Sequence, residues 1–92
     1  MNVRQWIEEN YSDEEILLAD GFNRAFLGVG QIFNGPPVAV YDKSMVITIL
    51  RESGMKEDEA YEYFDYNVAG AYMGEKTPMF VETKRSLRRV RK

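Results

Sequence analysis

The clearest hydrophobic pattern in the chain lies between Gly54 and Val81. Apolar side chains recur there at intervals of three and four residues, the repeat of one face of an α-helix. They are Ala60, Tyr63, Phe64, Val68, Ala71 and Tyr72. Acids occupy the opposite face and the first turn, where free N–H groups and the helix dipole favour negative charge. The pattern predicts an amphipathic helix that begins after Lys56, ends at Gly74 and cannot continue through Pro78.

Short apolar or alternating runs predict the strands of a sheet, and they lie at residues 16–19, 25–33, 38–41 and 77–82. The turn sequence Asn-Gly-Pro-Pro separates the second and third runs, so we expect these two to pair as an antiparallel hairpin. Gly28 and Gly30 together would cost a helix about 2 kcal/mol, which favours a strand in the second run. The last run is expected to return to the sheet as an edge or third paired strand.

Two further helices complete the predicted architecture. Residues 3–10 have helical spacing, and their inward side chains are Val3, Trp6 and Ile7. Asp42 is expected to cap a helix from Lys43 to Ser53, which Gly54 ends. The core-facing stripe of that helix consists of Met45, Val46, Ile49 and Leu50. The whole pattern predicts an α+β fold: a small antiparallel sheet of three to four strands with two to three helices packed on one face.

Three sequence blocks stand in a specific order: LADGFNRAFLGVG, VAVYDKSMVITIL and EAYEYFDYNVAGAYMGEKTPMF. This order resembles a family of small proteins encoded by tailed bacteriophages, over about residues 16–81. Asn23 and Arg24 stand where the family pattern has an acidic pair, and Lys56 stands where it has a serine. The resemblance implies a phage origin and a shared fold, and it implies no particular activity.

Charge divides the chain into two unequal parts. Residues 1–83 contain all 15 acids and six bases, and residues 84–92 contain six bases and no acid, so the net charge is −3. We therefore predict one α+β domain over residues 1–83 and a basic C-terminal tail over residues 84–92. The tail contacts nucleic-acid phosphates weakly, folds against the acidic body or continues the final strand. Its cations are Lys84, Arg85, Arg88, Arg89, Arg91 and Lys92.

Composition argues against several classes of function. The chain has no cysteine and no histidine, which removes thiolate chemistry, the commonest general base and the commonest transition-metal ligand. We therefore predict no catalytic residue, no metal and no cofactor. The sequence has no apolar run approaching about 20 residues, and it has no signal-peptide pattern at its start. The expected location is the cytoplasm, that of the host if a phage encodes the protein.

An acidic, tyrosine-rich helix face is the first candidate site. Tyr61, Glu62, Asp65 and Tyr66 fall on or beside the polar side of the predicted helix. Exposed tyrosines give large contact area at low entropic cost, and carboxylates favour a basic partner. The interpretation is a non-enzymatic accessory protein that binds a host or phage macromolecule. The alternative is a face that is only solvated.

A small-ligand site is the second hypothesis. It places Arg24, Tyr41 and Asn67 around a cleft in a homo-oligomer, where the arginine grips a phosphate as in a nucleotide-binding, sponge-type protein. Asn67 lies one turn before Ala71 and close to Gly70, which leaves two interpretations open. Either Asn67 satisfies a neighbouring backbone group, or it contacts a ligand through the gap left by glycine. A chain of 92 residues buries a limited core, so a homo-oligomer is also consistent with its size.

Overall fold

A computed structural model describes residues 2–71 and 73–84. The elements in chain order are α1 (Val3–Asn10), β1 (Phe26–Gly30), β2 (Val38–Asp42), α2 (Lys43–Glu52), α3 (Glu57–Tyr63) and β3 (Met79–Val81). A 3₁₀ turn at Asn23–Ala25 precedes β1, and a π-helical turn at Phe64–Val68 continues α3. Three strands with three α-helices confirm the predicted α+β class.

The three strands form one sheet in the order β1-β2-β3. β1 and β2 pair antiparallel through their hairpin, as predicted, with Val29 opposite Ala39. β3 pairs parallel to β2, with Phe80 beside Tyr41. The sheet is therefore mixed, and the prediction of a wholly antiparallel sheet is wrong for β3. The reason is the intervening helical pair, because a parallel partner needs a long crossover and α2 and α3 supply it.

Residues 16–19 do not form the strand that their apolar run predicts. Ile16 and Leu18 pack against the core as parts of an irregular segment. The Ala19 backbone N–H donates a hydrogen bond to the Tyr41 hydroxyl, with an N···O distance of 2.8 Å. The Tyr41 side chain therefore satisfies the Ala19 N–H group. In the predicted strand, a neighbouring strand would have supplied the acceptor.

α2 begins and ends where the sequence places its start and stop signals. The Asp42 carboxylate accepts hydrogen bonds from the backbone N–H groups of Ser44 and Met45, with N···O distances of 2.9 and 3.4 Å. Gly54 follows the helix with a φ of +116°, a conformation that glycine adopts without strain. Both local predictions for this helix are confirmed.

The buried face of α2 differs from the predicted stripe. Val46, Ile47 and Leu50 are buried, whereas Met45 and Ile49 are half-buried at the margin of the core. The buried face of α2 is therefore rotated about the helix axis, by part of a turn, relative to the predicted stripe. A sheet below and α3 beside it enclose α2 on two sides, which widens the apolar arc beyond a single stripe.

A row of aromatic rings connects the helices to the sheet. Trp6 of α1 packs on Phe26 at a centroid distance of 5.8 Å, and Phe26 meets Tyr41 edge-on at 5.7 Å. Tyr41 stacks on Phe80 at 5.6 Å, and Phe80 meets Phe64 at 5.2 Å. Each ring belongs to a different element or to the turn after α3. The core is therefore centred on the face of the sheet that carries Tyr41.

Candidate functional site

α3 begins without a side-chain cap of the usual kind, and acids take over that role. Lys56 occupies the N-cap position, and its ammonium group has no acceptor atom for the free N–H groups. The Glu59 carboxylate accepts a hydrogen bond from the Lys56 backbone N–H, with an N···O distance of 2.8 Å. Glu57 and Asp58 add negative charge in the first turn, where the helix dipole favours it. The start of α3 is therefore acidic for a structural reason.

α3 passes into the π-helical turn and ends well before Gly74. The Ala69 backbone N–H donates to the Phe64 carbonyl five residues earlier, with an N···O distance of 2.7 Å. The wider turn changes the direction of the side chains that follow it. The prediction of a regular helix as far as Gly74 is therefore wrong. Single π-helical turns inside α-helices are frequent at functional sites, so the segment Phe64–Val68 is a candidate part of such a site.

Gly70 lies in the turn that follows the π-helical segment. A Cβ atom at this position would stand 2.8 Å from the Asp65 carbonyl oxygen and 3.1 Å from that of Tyr66. A larger residue would force these backbone atoms apart. The atoms that approach Gly70 belong to its own turn.

The apolar stripe predicted for this helix is confirmed at Ala60 and Phe64, and in part at Val68. Ala60 and Phe64 are buried, and Val68 is half-buried. Tyr63 is 41% exposed and Ala71 is also exposed, so neither belongs to the core. Tyr72, the last member of the predicted stripe, lies outside the described residues.

Four side chains on one side of α3 and its π-helical turn form what we name the acidic–tyrosine surface: Tyr61, Glu62, Asp65 and Tyr66. Tyr61 is 40% exposed and Tyr66 is 77% exposed. Glu62 and Asp65 are exposed as well. Neighbours at intervals of three to four residues share one side of a helix, so these groups lie together. All four face solvent, as a docking surface requires.

An open groove of about 710 Å³ follows α3 beside the turn that joins it to α2. Its lining contains two carboxylates, two phenols and one carboxamide, together with the turn itself. The full lining is Ser53, Gly54, Met55, Glu59, Glu62, Tyr63, Tyr66 and Asn67. Carboxylate oxygens beside aromatic rings are the partners that lysine and arginine head groups prefer. The groove can therefore accept a cationic side chain.

Glu59 and Tyr63 belong to this groove and were missed by the sequence prediction. The helix dipole alone accounts for an acid at Glu59, and the predicted apolar stripe places Tyr63 in the core. The spacing of Glu59, Glu62, Tyr63 and Tyr66 is i, i+3, i+4 and i+7, which is a signal for one helix face. The sequence contains that signal. Tyr63 also fits the spacing of the apolar stripe, and for this reason it was predicted to be buried.

Tyr61 lies at the margin of the acidic–tyrosine surface, next to Lys43, a cation of its own chain. Lys43 Nζ is 6.0 Å from the centroid of the Tyr61 ring and 5.2 Å from that of Phe64. The Glu82 carboxylate lies 4.0 Å from the same ammonium group. Glu62 and Tyr66 are therefore the members of the acidic–tyrosine surface that line the groove, and Tyr61 borders a separate depression with Lys43.

Comparison with protein families, with curated proteins and with solved structures gives no match. The resemblance to proteins of tailed bacteriophages therefore stays a prediction.

The three residues of the small-ligand hypothesis lie in different surroundings. Tyr41 is fully buried, and burial raises the pKa of its phenol above the usual value. Arg24 pairs with Glu52 at an N···O distance of 2.6 Å, and this contact lowers the pKa of the exposed carboxyl. Asn67 is exposed and lines the groove beside α3. In the part of the chain that the structure describes, Arg24 and Tyr41 do not line that groove.

The basic tail falls almost entirely beyond the described part of the chain. Lys84 is exposed, and the other cations lie outside the described residues: Arg85, Arg88, Arg89, Arg91 and Lys92. Within residues 2–71 and 73–84, no cluster of three or more acids converges in a way that would hold a metal ion. Over the same residues, none of the helices has the length and apolar character needed to cross a membrane.

Proposed function

We propose that the protein is a non-enzymatic accessory protein of a tailed bacteriophage that binds a basic segment of a host or phage protein. The phage origin rests on the resemblance of the three sequence blocks. The binding role rests on the acidic–tyrosine surface and on the groove that shares Glu62 and Tyr66 with it. The observation that carries the proposal is the exposure of these acids and rings together on one helix.

The chemistry of the groove supports a cationic partner. Glu59 and Glu62 supply carboxylates within one groove, and Tyr63 and Tyr66 supply ring faces beside them. A lysine or arginine can place its charge against a carboxylate and its stem or guanidinium plane against a ring. Asn67 adds an amide that can bond to a peptide backbone. The complementary charges favour fast encounter as well as selectivity against acidic proteins.

Charge reversal at Glu62 and Asp65 tests this proposal. We expect the double variant Glu62→Lys with Asp65→Lys to retain its basic protein partners about tenfold less well, because attraction becomes repulsion at the surface. The natural and variant proteins are immobilised and exposed to lysate of infected bacteria, and the retained proteins are quantified by mass spectrometry. Circular dichroism establishes that the variant is folded.

A second double variant provides the matched control. Glu8→Lys with Asp13→Lys makes the same change in net charge at two exposed positions on and just after α1. This control should capture the same proteins as the natural chain. If both variants capture less of the basic proteins by the same factor, the effect is due to net charge and not to the proposed surface. If all three proteins capture the same amounts, the proposed surface is refuted.

The small-ligand hypothesis stays a second proposal in a narrower form. Burial makes Tyr41 a core residue, and Glu52 already pairs with Arg24. Asn67 and the groove are the parts that remain available to a ligand. Native mass spectrometry with bacterial metabolite extract tests this form, and a retained small molecule that is lost in Asn67→Ala would favour it over protein docking.

A further inference from the structure

Five carboxylates and no base lie between residues 57 and 71, on α3 and the turns that follow it. All five are exposed, and they are Glu57, Asp58, Glu59, Glu62 and Asp65. Within residues 2–71 and 73–84, none of them forms an ion pair with a lysine or an arginine. Like charges three or four residues apart on a helix repel one another, so a cationic segment placed against them would relieve this repulsion.

Residues 85–92 of the basic tail have the opposite composition. They contain five bases and no acid: Arg85, Arg88, Arg89, Arg91 and Lys92. These bases equal the acids of the α3 region in number and oppose them in sign. Arginine also stacks its planar guanidinium on tyrosine rings, and the exposed rings of Tyr61 and Tyr66 lie beside the carboxylates. The tail therefore complements the acidic–tyrosine surface in charge and in ring chemistry.

The chain leaves the sheet for its tail next to this surface. Val81 of β3 lies opposite Asp42, the residue that caps α2. The Glu82 carboxylate lies 4.0 Å from Lys43 Nζ, which lies 6.0 Å from the centroid of the Tyr61 ring. Glu82 and Tyr61 border the same small depression. The tail therefore begins beside Tyr61, at the margin of the acidic–tyrosine surface.

The tail is long enough to cover the surface. The eight residues beyond Lys84 reach at most about 28 Å when fully extended. Along the helix, Tyr61 and Tyr66 are only about 8 Å apart. The groove beside α3 borders the same surface, because Glu62 and Tyr66 line it. A tail that begins beside Tyr61 can therefore cross Asp65 and enter the groove within its own length.

From this geometry and charge we infer that, in the free protein, the chain's own residues 85–92 occupy the acidic–tyrosine surface and the groove beside it. The tail is then an intrachain competitor of the basic partner, and this regulatory role rests on the proposed function. A partner must displace the tail, whose tether gives it a high effective concentration. Segments that bind better than the tail are thereby selected over weakly basic ones.

Binding of a tail peptide added in trans tests the competition. A labelled synthetic peptide with the sequence of residues 84–92 is titrated with the whole chain, and fluorescence anisotropy measures its dissociation constant. The triple variant Arg88→Gln, Arg89→Gln and Arg91→Gln should bind this peptide about fivefold more tightly than the natural chain, because its own tail competes less. In about 1 M salt the difference should disappear through screening. A difference that persists at high salt would overturn the electrostatic contact.

A second triple variant is the matched control. Arg4→Gln, Gln5→Glu and Asn23→Asp also lower the net charge by three, and these residues border one depression beside α1. In the described chain, none of the three lines the groove beside α3. This control should bind the peptide like the natural chain. If it binds as tightly as the tail variant, net charge explains the gain and the inference is overturned.

Carbodiimide crosslinking of the natural chain at low concentration tests the contact itself. The reagent joins a lysine amine to a neighbouring carboxylate, and proteolysis with mass spectrometry identifies the joined residues. We expect Lys92 to be joined to Glu62 or Asp65 within single chains. Products in which Lys92 joins no acid of the α3 region, or joins one only between two chains, would overturn the inference.

The inference and the proposed function can fail separately. If the peptide binds the natural chain and the tail variant equally, and Glu62→Lys with Asp65→Lys abolishes its binding, the tail does not compete but the surface still binds basic segments. If the peptide binds neither protein, the inference is overturned, and the lysate capture experiment decides the proposed function on its own. Circular dichroism establishes that each variant is folded.

Discussion

At the scale of single residues, Tyr41 connects segments that are far apart in the sequence. Its ring is fully buried between Phe26 and Phe80, and its hydroxyl accepts the hydrogen bond from the Ala19 N–H. The sequence hypothesis gave Tyr41 a role in ligand binding. Its position in β2 explains the difference, because alternate residues of a strand face the helical layer, and Ala39 and Tyr41 are on that side.

Replacing Tyr41 by phenylalanine tests the hydrogen bond at this position. Phe keeps the ring contacts but leaves the half-buried Ala19 N–H without its acceptor. We expect Tyr41→Phe to lower the free energy of unfolding by about 1–2 kcal/mol. Urea denaturation measures the change. A variant as stable as the natural chain would show that the hydroxyl makes no net contribution.

The pH dependence of stability gives a second test of the same residue. Burial raises the pKa of the Tyr41 phenol, so the folded chain keeps this proton at a pH where the unfolded chain loses it. Below the unfolded-state pKa of about 10, the protonated Tyr41 phenol contributes fully to the free energy of unfolding. This contribution is lost as the pH rises towards the folded-state pKa. The stability difference between the natural chain and Tyr41→Phe should therefore shrink above about pH 10. A constant difference across that range would contradict the assignment.

At the scale of elements, the N-terminus of α2 depends on one carboxylate. Asp42 accepts from two backbone N–H groups of the first turn, at Ser44 and Met45. We expect Asp42→Ala to lower the free energy of unfolding by about 1 kcal/mol, and the melting temperature by about 4–8 °C for a domain of this size. Thermal denaturation followed by circular dichroism measures the shift. Asp42→Asn is the control, since it keeps an acceptor at the same place and should lose much less.

Local signals of this kind explain which elements the sequence predicts correctly. The Asp42 cap, the Gly54 stop and the Asn-Gly-Pro-Pro turn each act within a few residues, and the two ends of α2 and the start of β2 agree with the structure to within a residue. The strand before the turn was predicted as far as residue 33, whereas β1 ends at Gly30. The buried residues of α1 are also predicted correctly from a local signal. Val3 and Ile7 are one helical turn apart in the sequence, and both are buried.

Other features depend on contacts between distant segments, and no local pattern contains them. The run at residues 16–19 is apolar like a strand, but its partner is the Tyr41 side chain. The parallel direction of β3 is set by the path through α2 and α3. The early end of α3 follows from the π-helical turn, which has no simple sequence signal. Of the residues predicted for the acidic–tyrosine surface, Glu62 and Tyr66 line the groove beside α3, and so does Tyr63, which the apolar stripe had assigned to the core.

At the scale of the whole molecule, the row of aromatic rings from Trp6 to Phe64 couples all three strands to α1 and to the turn after α3. A continuous core of this kind favours a single cooperative unfolding transition in a small domain. It also makes a natural optical probe, because Trp6 is the only tryptophan in the chain and lies at one end of the row.

Cooperative unfolding can be measured with this probe. Denaturation followed by Trp6 fluorescence reports on the environment of α1, and far-ultraviolet circular dichroism reports on the helices and strands together. The two transitions should coincide in midpoint and slope. A fluorescence transition that precedes the loss of circular dichroism would show that α1 separates from the sheet as an independent unit.

The parallel pairing of β3 has a consequence for how the chain folds during its synthesis. One edge of β2 lacks its partner strand until α2, α3 and the residues through Val81 have left the ribosome. The hairpin and the helical pair can form earlier, because their contacts are local. Insertion of Phe80 against Tyr41 is therefore expected to be the closing step of folding. A nascent chain halted before Met79 would expose a free strand edge, a ready site for chaperone capture.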